Sequence, residues 1–321
     1  MRRSAQALGV AAAALLLATP IPAPPPPGPG ERGLARLTFE VVALDPDAPD
    51  QGRFGPLRYL QGWVVTSDDR RFGAISALAV DGEALLGLSD QGVIFRFAPP
   101  PAAGVEIVPV VAGPGSFGSK ADRDSESMAV SGGSVWIAYE NSNEIWRYDA
   151  GTMTAAAHAA PPAMERWTAN RGAEALARLP DGRFLAMRED VDDEGVSDAL
   201  LFLGDPAQPG THAVALKIDP PEGERITDAA ALPDGRMLLL SRRFGFWSGW
   251  TGHLLIAELP RNQERRMPVR TLAAFEGSIT RDNFEAIAVA QESGRTIIWI
   301  ASDDNLLSLQ RTLLLKFEWV G

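Results

Sequence analysis

The chain has 321 residues, 45% of them apolar, which is ample for a sizeable buried core and excludes a disordered polymer. Its 41 acidic against 30 basic residues give a net charge of -11 at pH 7, which argues against a nucleic-acid partner held through its phosphates. There is no cysteine, so disulfides, thiolate metal ligands and lipidated cysteines are all excluded.

The first thirty residues stand apart. Arg2 and Arg3 precede an apolar run from Ala7 to Ala18, and a Pro/Gly-rich spacer runs from Pro20 to Gly30. A positive start, a short apolar core and a small-residue exit read as an export signal. The run is shorter than the ~20 residues a membrane span requires. The expected organisation is therefore a signal peptide and spacer over 1–30 and a single domain over 31–321, in a protein that is periplasmic or secreted.

Beyond the spacer, Thr38 to Ala43 and Gly62 to Thr66 read as strands. A repeat then begins. A hydroxyl or acidic residue leads a short run of small and branched apolar residues at Ser76-Ala77-Leu78-Ala79-Val80, Glu126-Ser127-Met128-Ala129-Val130, Glu174-Ala175-Leu176-Ala177, Asp228-Ala229-Ala230-Ala231-Leu232 and Glu285-Ala286-Ile287-Ala288-Val289. A tight-turn signal follows each copy, at Asp81-Gly82, Gly132-Gly133, Asp181-Gly182, Asp234-Gly235 and Ser293-Gly294. A second apolar run comes next in every copy, for example Val135-Trp136-Ile137-Ala138-Tyr139 and Ile298-Trp299-Ile300-Ala301, and a third after it. The segments Val105 to Val111, His212 to Ile218 and Val269 to Phe275 supply a fourth, outer strand. Units of four strands recurring at roughly fifty residues are the signature of an all-β propeller with four-stranded antiparallel blades. Five repeats are counted; the stretch from the last repeat round to the first is long for one blade and short for two, which leaves five or six blades open. The ring closes where the N-terminal strands pair with the C-terminal unit.

In a propeller the innermost strand of each blade lines the central channel, so Ser76, Glu126, Glu174, Asp228 and Glu285 should surround one opening. The second strands return to the same rim with Asp90, Glu140, Arg188, Arg242 and Asp303. The candidate catalytic groups are accordingly Glu126, Glu174, Asp228 and Glu285. Hard cations such as Ca²⁺ take six to eight oxygen ligands, and Glu126, Glu174, Glu285 and Asp303, with Asn170, Asn283 and water nearby, match that demand. Such an ion polarises an ester or phosphoryl oxygen and acidifies a bound water. Arg188, Arg242 and Arg243 are the candidate anchors for an anionic substrate, with Asn170 and Asn283 beside them. The competing role for all these groups is structural: carboxylates holding backbone N–H groups between blades, and arginines neutralising an acidic rim.

Other patterns are weaker. Asp190-Val191-Asp192-Asp193-Glu194-Gly195 resembles the start of a calcium loop but lacks the closing glutamate. The glycines of Gly113 to Lys120 do not have the order of a phosphate loop. Ser248 lacks the spacing of a nucleophile elbow, and His158, His212 and His253 have no metal-ligand spacing. The aromatic stretch Phe244 to Trp250 fits a lip over the channel.

The segments Phe72-Gly73-Ala74-Ile75-Ser76-Ala77-Leu78-Ala79, Asp124-Ser125-Glu126-Ser127-Met128-Ala129, Asn170-Arg171-Gly172-Ala173-Glu174-Ala175-Leu176, Asp282-Asn283-Phe284-Glu285-Ala286-Ile287 and Ser302-Asp303-Asp304-Asn305 together resemble the phytase-like domain proteins described as having esterase-like activity. The resemblance runs from about Leu37 onward. It implies an exported bacterial propeller hydrolase acting on ester or phosphate-ester bonds, with a divalent cation, calcium by analogy with propeller phytases, and a small-molecule substrate. Where the pattern often carries glycine after the acidic residue, this chain has Ser127, Ala175 and Ala286. A propeller sugar lactonase and a non-catalytic periplasmic scaffold are the rival readings.

Overall fold

The computed structural model describes residues 31–321 apart from 118, 169–171, 261–263 and 306–309. Its strands, in chain order, are β1 (Gly33–Val42), β2 (Arg53–Phe54), β3 (Leu57–Ser67), β4 (Ile75–Asp81), β5 (Ala84–Ser89), β6 (Val93–Phe97), β7 (Gly104–Pro109), β8 (Ser125–Ser131), β9 (Ser134–Tyr139), β10 (Glu144–Asp149), β11 (Ala155–Ala159), β12 (Ala173–Arg178), β13 (Phe184–Val191), β14 (Ser197–Phe202), β15 (Ala213–Ile218), β16 (Arg225–Ala231), β17 (Met237–Gly245), β18 (Gly249–Ala257), β19 (Arg266–Met267), β20 (Val269–Phe275), β21 (Phe284–Glu292), β22 (Arg295–Ser302) and β23 (Leu313–Trp319).

They pair as successive antiparallel units: β4-β5-β6-β7, β8-β9-β10-β11, β12-β13-β14-β15, β16-β17-β18-β20 and β21-β22-β23-β3. The first hairpin of each unit is tight because its turn residues accept positive φ; Gly132 and Gly133 at 58° and 75°, and Ser293 and Gly294 at 50° and 76°, are two cases. The outer strands of the first, third and fourth units were expected from sequence. β11 was not.

Continuous apolar runs form these strands because both faces of each sheet are covered. Between the first and second units, Ala77, Leu86, Leu88 and Ile94 pack with Met128, Val135, Ile137 and Tyr139. The second and third share Trp136, Ala138, Leu176, Phe184 and Ala186; the third and fourth share Leu185, Met187, Leu201, Leu239 and Leu255; the fourth and fifth share Leu238, Leu240, Ile298 and Ile300. The circuit closes where Ala286, Ala288 and Trp299 of the last unit meet Ile75, Leu78 and Phe95 of the first. Each Val, Leu, Ile, Met or Phe among them, fully buried, contributes roughly 1.5–3 kcal/mol. The result is a β-propeller whose sheets are sealed face to face around an axis.

Closure across the chain ends is made by antiparallel strand pairing. β3 completes the C-terminal unit by pairing Val64 with Leu313 and Trp63 with Leu314, as the sequence predicts. β1 adds a strap: Leu37 to Val42 pair with β3, while Gly33 to Arg36 pair with β7 of the first unit. The aromatic stack of Trp63 on Trp299 at 6.2 Å reinforces the seam. A chain beginning at residue 70 should therefore expose the edge of β23 and aggregate or lose its cooperative thermal transition, whereas a chain beginning at residue 31 should unfold cooperatively; light scattering and calorimetry measure both.

Candidate functional site at the channel mouth

One local feature recurs in every innermost strand. The pairing of the first two strands skips a residue, so that Ile75 faces Ser89 but Ala77 faces Leu88, and the same slip occurs between Ser125 and Ser127, Ala173 and Ala175, Ile226 and Asp228, and Phe284 and Ala286. Each slip is a β-bulge, which leaves one residue outside the ladder and re-aims it. The bulged residues are Ser76, Glu126, Glu174, Thr227 and Glu285. In the fourth unit the equivalent residue is thus Thr227, not Asp228.

That single-residue difference separates the fates of the predicted acids. Asp228 does not share the charges of the mouth: its Oδ1 accepts the N–H of Ala229 and its Oδ2 the N–H of Ile287 in the next unit, both at 2.8 Å. It is a clasp between the fourth and fifth units, and burial pushes its pKa well up against those two bonds. Hydroxyls do similar work elsewhere. Ser76 Oγ donates to the carbonyl of Ser125 at 2.7 Å, Ser127 Oγ to Ala173 at 2.8 Å and Thr227 Oγ1 to Phe284 at 3.2 Å.

The same register identifies the second tier. The residues following Ser89, Tyr139, Arg188, Ser241 and Ser302 are Asp90, Glu140, Glu189, Arg242 and Asp303, so the third unit offers Glu189 where the sequence pointed to Arg188. A shift of one residue along a strand reverses its face. Arg188 is committed instead to Asp190 at 3.2 Å and Asp198 at 3.8 Å along its own sheet. Arg243 is likewise on the other face from Arg242, exposed beside Gly223. Asn170 lies outside the described residues.

Glu126, Glu174 and Glu285 do converge, with Glu140, Glu189, Asp303, Asp90 and Asp124 around them. Burial first, then the charges of Glu174 and Asp124, lift the pKa of Glu126 well above the usual range. Burial, Glu189, Glu140 and Glu285 do the same for Glu174, with Arg242 opposing them. Asp303 is raised by burial and by Glu285, and Glu140 is pushed up to about 7 by burial and Asp124. Glu285 is raised by burial but relieved by Arg242 and Asn283. Arg242 Nη1 lies 2.9 Å from Glu285 Oε1 and donates to Asn283 Oδ1 at 2.6 Å, while Asn283 Nδ2 donates to Glu285 Oε1 at 2.6 Å. Asn283 is fully buried, so it positions Glu285 rather than meeting solvent.

The closest acidic grouping among the described residues is Asp124, Glu126 and Glu140, whose carboxylate oxygens lie within 4.8 Å of one another. Two ligands of one calcium ion, each 2.3–2.6 Å from it, stand no more than about 5 Å apart, so this trio fits a shared cation. It differs from the expected set of Glu126, Glu174, Glu285 and Asp303 in taking its ligands from one unit. Gly172 enforces the approach from the next unit: a Cβ there would sit 2.7 Å from the Glu140 carbonyl oxygen. Asp124 and Glu140 were both visible in the sequence, one beside Glu126 and one at a second-strand end, but only the fold brings them together.

Above the mouth, the β17–β18 hairpin continues its pairing to Gly245 and Gly249. Arg242 lies against Trp250, and Phe244 meets the same ring edge-on, while Phe246 and Trp247 at the tip are 83% and 94% exposed. Further along the channel the lining changes to Leu78, Met128, Leu176, Ala229, Ile287 and their neighbours, around a cavity of about 130 Å³. Among these lining residues only Arg178 is charged, so the acidic groups are gathered at the mouth.

Fold and site together define an all-β propeller with an acid-lined axial mouth. The chain belongs to the phytase-like family, described as having the esterase-like activity of phytase, whose model matches residues 70–306. No curated protein sequence matches it. Among solved structures it is similar to hydrazine synthase of Kuenenia stuttgartiensis (12% identity, 74% of this chain and 79% of that one, TM-score 0.42), to a chain of a nidogen/laminin complex (10%, 87% and 92%, 0.43) and to a luciferin-regenerating enzyme (11%, 78% and 94%, 0.43). Among the described residues no helix is long and apolar enough to cross a membrane.

Two outcomes follow. Asp228→Ala should lower stability by roughly 1–3 kcal/mol for each N–H left without its acceptor, while leaving cation binding unchanged, as thermal melts and calorimetry would show. The raised pKa of Glu140 means that the folded protein holds more protons than the unfolded chain between the ordinary carboxylate range and about 7. Metal-free protein should therefore lose stability as pH rises through that window, and the Tm should recover on adding Ca²⁺. A flat Tm profile would contradict this.

Proposed function

We propose that this chain is an exported hydrolase that cleaves an ester or phosphate ester at the channel mouth with the help of a divalent cation. The observation that carries the reading is the trio of Asp124, Glu126 and Glu140, close enough to share one ion. Burial and the neighbouring acidic charges raise Glu126 and Glu140, and a bound divalent charge is the natural relief. Membership of the phytase-like family supports ester chemistry.

In this reading Asp124, Glu126 and Glu140 hold the cation, which when bound polarises an ester oxygen and acidifies a water. Glu174, raised by burial and by its acidic neighbours, is the group placed to deliver a proton to a leaving oxygen. Arg242 and Asn283 oppose the burial that raises Glu285, and Asn283 orients it. Because Arg242 is the one expected substrate-binding arginine that faces the mouth, and Glu285 already engages it, a phosphate ester depends on the cation more heavily than a neutral ester does. The exposed Phe246 and Trp247 favour a second reading, hydrolysis of an uncharged sugar-ring ester such as a lactone. Export rests on residues 1–30, which lie outside the described residues.

The test is metal analysis of purified protein, then a panel of carboxyl esters, phosphate esters and lactones with and without chelator. Hydrolysis should be lost with chelator, restored by Ca²⁺, and reduced on the order of 10²-fold or more in Glu126→Gln and Glu174→Gln. Chelator-insensitive hydrolysis would overturn the metal role, and a folded protein inert on the whole panel would overturn the catalytic one.

A further inference from the structure

Register alignment makes one departure in the second tier conspicuous. Four of the five equivalent positions are acidic, Asp90, Glu140, Glu189 and Asp303, and the fifth is Arg242. Its guanidinium is drawn into the acids of the units on either side. Nη1 lies 2.9 Å from Glu285 Oε1 and Nη2 lies 3.7 Å from Oε1 of Glu189, whose other oxygen Arg225 engages at 3.1 Å. The charges of Glu174 and Asp303 act on it as well. Although Arg242 also bonds Asn283 and lies against Trp250, its Nε is buried without a hydrogen-bond partner. A buried donor left unmet carries a desolvation cost. What the position does show is a guanidinium set among carboxylates of the units on either side.

We propose that Arg242 is a built-in counter-cation, which restricts the mouth to a single divalent ion at Asp124, Glu126 and Glu140 and occupies the place of a second ion among Glu285, Glu189 and Asp303. The inference rests on the cation reading above, and it concerns how many ions are bound rather than whether any is. Carboxylates of the third and fifth units face a group that cannot dissociate, whereas those of the second unit depend on an exchangeable ion. An arginine suits this role because it stays charged under all ordinary conditions and can address two carboxylates at once. The arrangement gives the mouth two unlike electrophilic sides, one fixed and one supplied from solution.

The experiment is Mn²⁺ titration by calorimetry, with the ions retained after gel filtration counted by atomic emission, on wild type, Arg242→Gln, Arg242→Met and Arg242→Lys. One ion should bind to wild type and to Arg242→Lys, and two should bind to the neutral variants, a doubling of the bound ion count. Adding Glu126→Gln and Glu140→Gln to Arg242→Gln should remove the first ion and leave the second. Circular dichroism in Mn²⁺ verifies folding, and either neutral variant suffices if the other is lost to aggregation. Two ions in wild type, or one ion in a folded neutral variant, would overturn this inference while leaving the cation reading intact. No ion in wild type at millimolar Mn²⁺ would overturn the cation reading itself.

Discussion

A skipped residue in each innermost strand is the constraint on which the mouth depends. In an unbroken ladder, side chains at the start of these strands would alternate between the two inter-sheet cores. The bulge releases one residue per unit from that alternation and turns it to the axis, so that Glu126, Glu174 and Glu285, far apart in the chain, act on one another. The hydroxyl residues Ser76 and Thr227 fill the two remaining bulges and bond the next unit instead. Ring closure and site formation are therefore the same event: the clasps that hold consecutive sheets together start from the positions that hold the acids.

This arrangement stores unfavourable electrostatics. Carboxyls with raised pKa values on the second, third and fifth units crowd the mouth around the paired Arg242, and the lining deeper in the channel is mostly apolar. Such a concentration lowers the stability of the metal-free fold, and the five inter-sheet cores supply the stability that tolerates it. The cost is confined to one end of the axis, where solvent, an ion and a substrate can all reach.

The repeat was legible because inner and second strands are covered on both faces, which forces short continuous apolar runs between glycine turns. Fold class, the turn positions and closure through the N-terminal strands follow from that. What local sequence does not show is which of two adjacent residues is the extra one in a bulge. Thr227 and Asp228 are both polar and both precede alanines, so the step of one residue that sends Asp228 to backbone N–H groups was invisible. The same uncertainty made Arg188 stand in for Glu189. β11, an alanine-rich edge strand, carries little β signal of its own, and the β1 strap is set by pairing with two sheets. The grouping of Asp124 with Glu140 is tertiary, arising only when β8 and β9 close into a hairpin.

The central claim is that the bulges gather these carboxylates around one ion at the axis. Anomalous diffraction from crystals soaked in Mn²⁺ tests it most directly. The account predicts a single strong peak roughly 2–2.6 Å from oxygens of Asp124, Glu126 and Glu140. A peak confined to the outer acidic loop at Asp192 to Glu194, with none at the mouth, would contradict it.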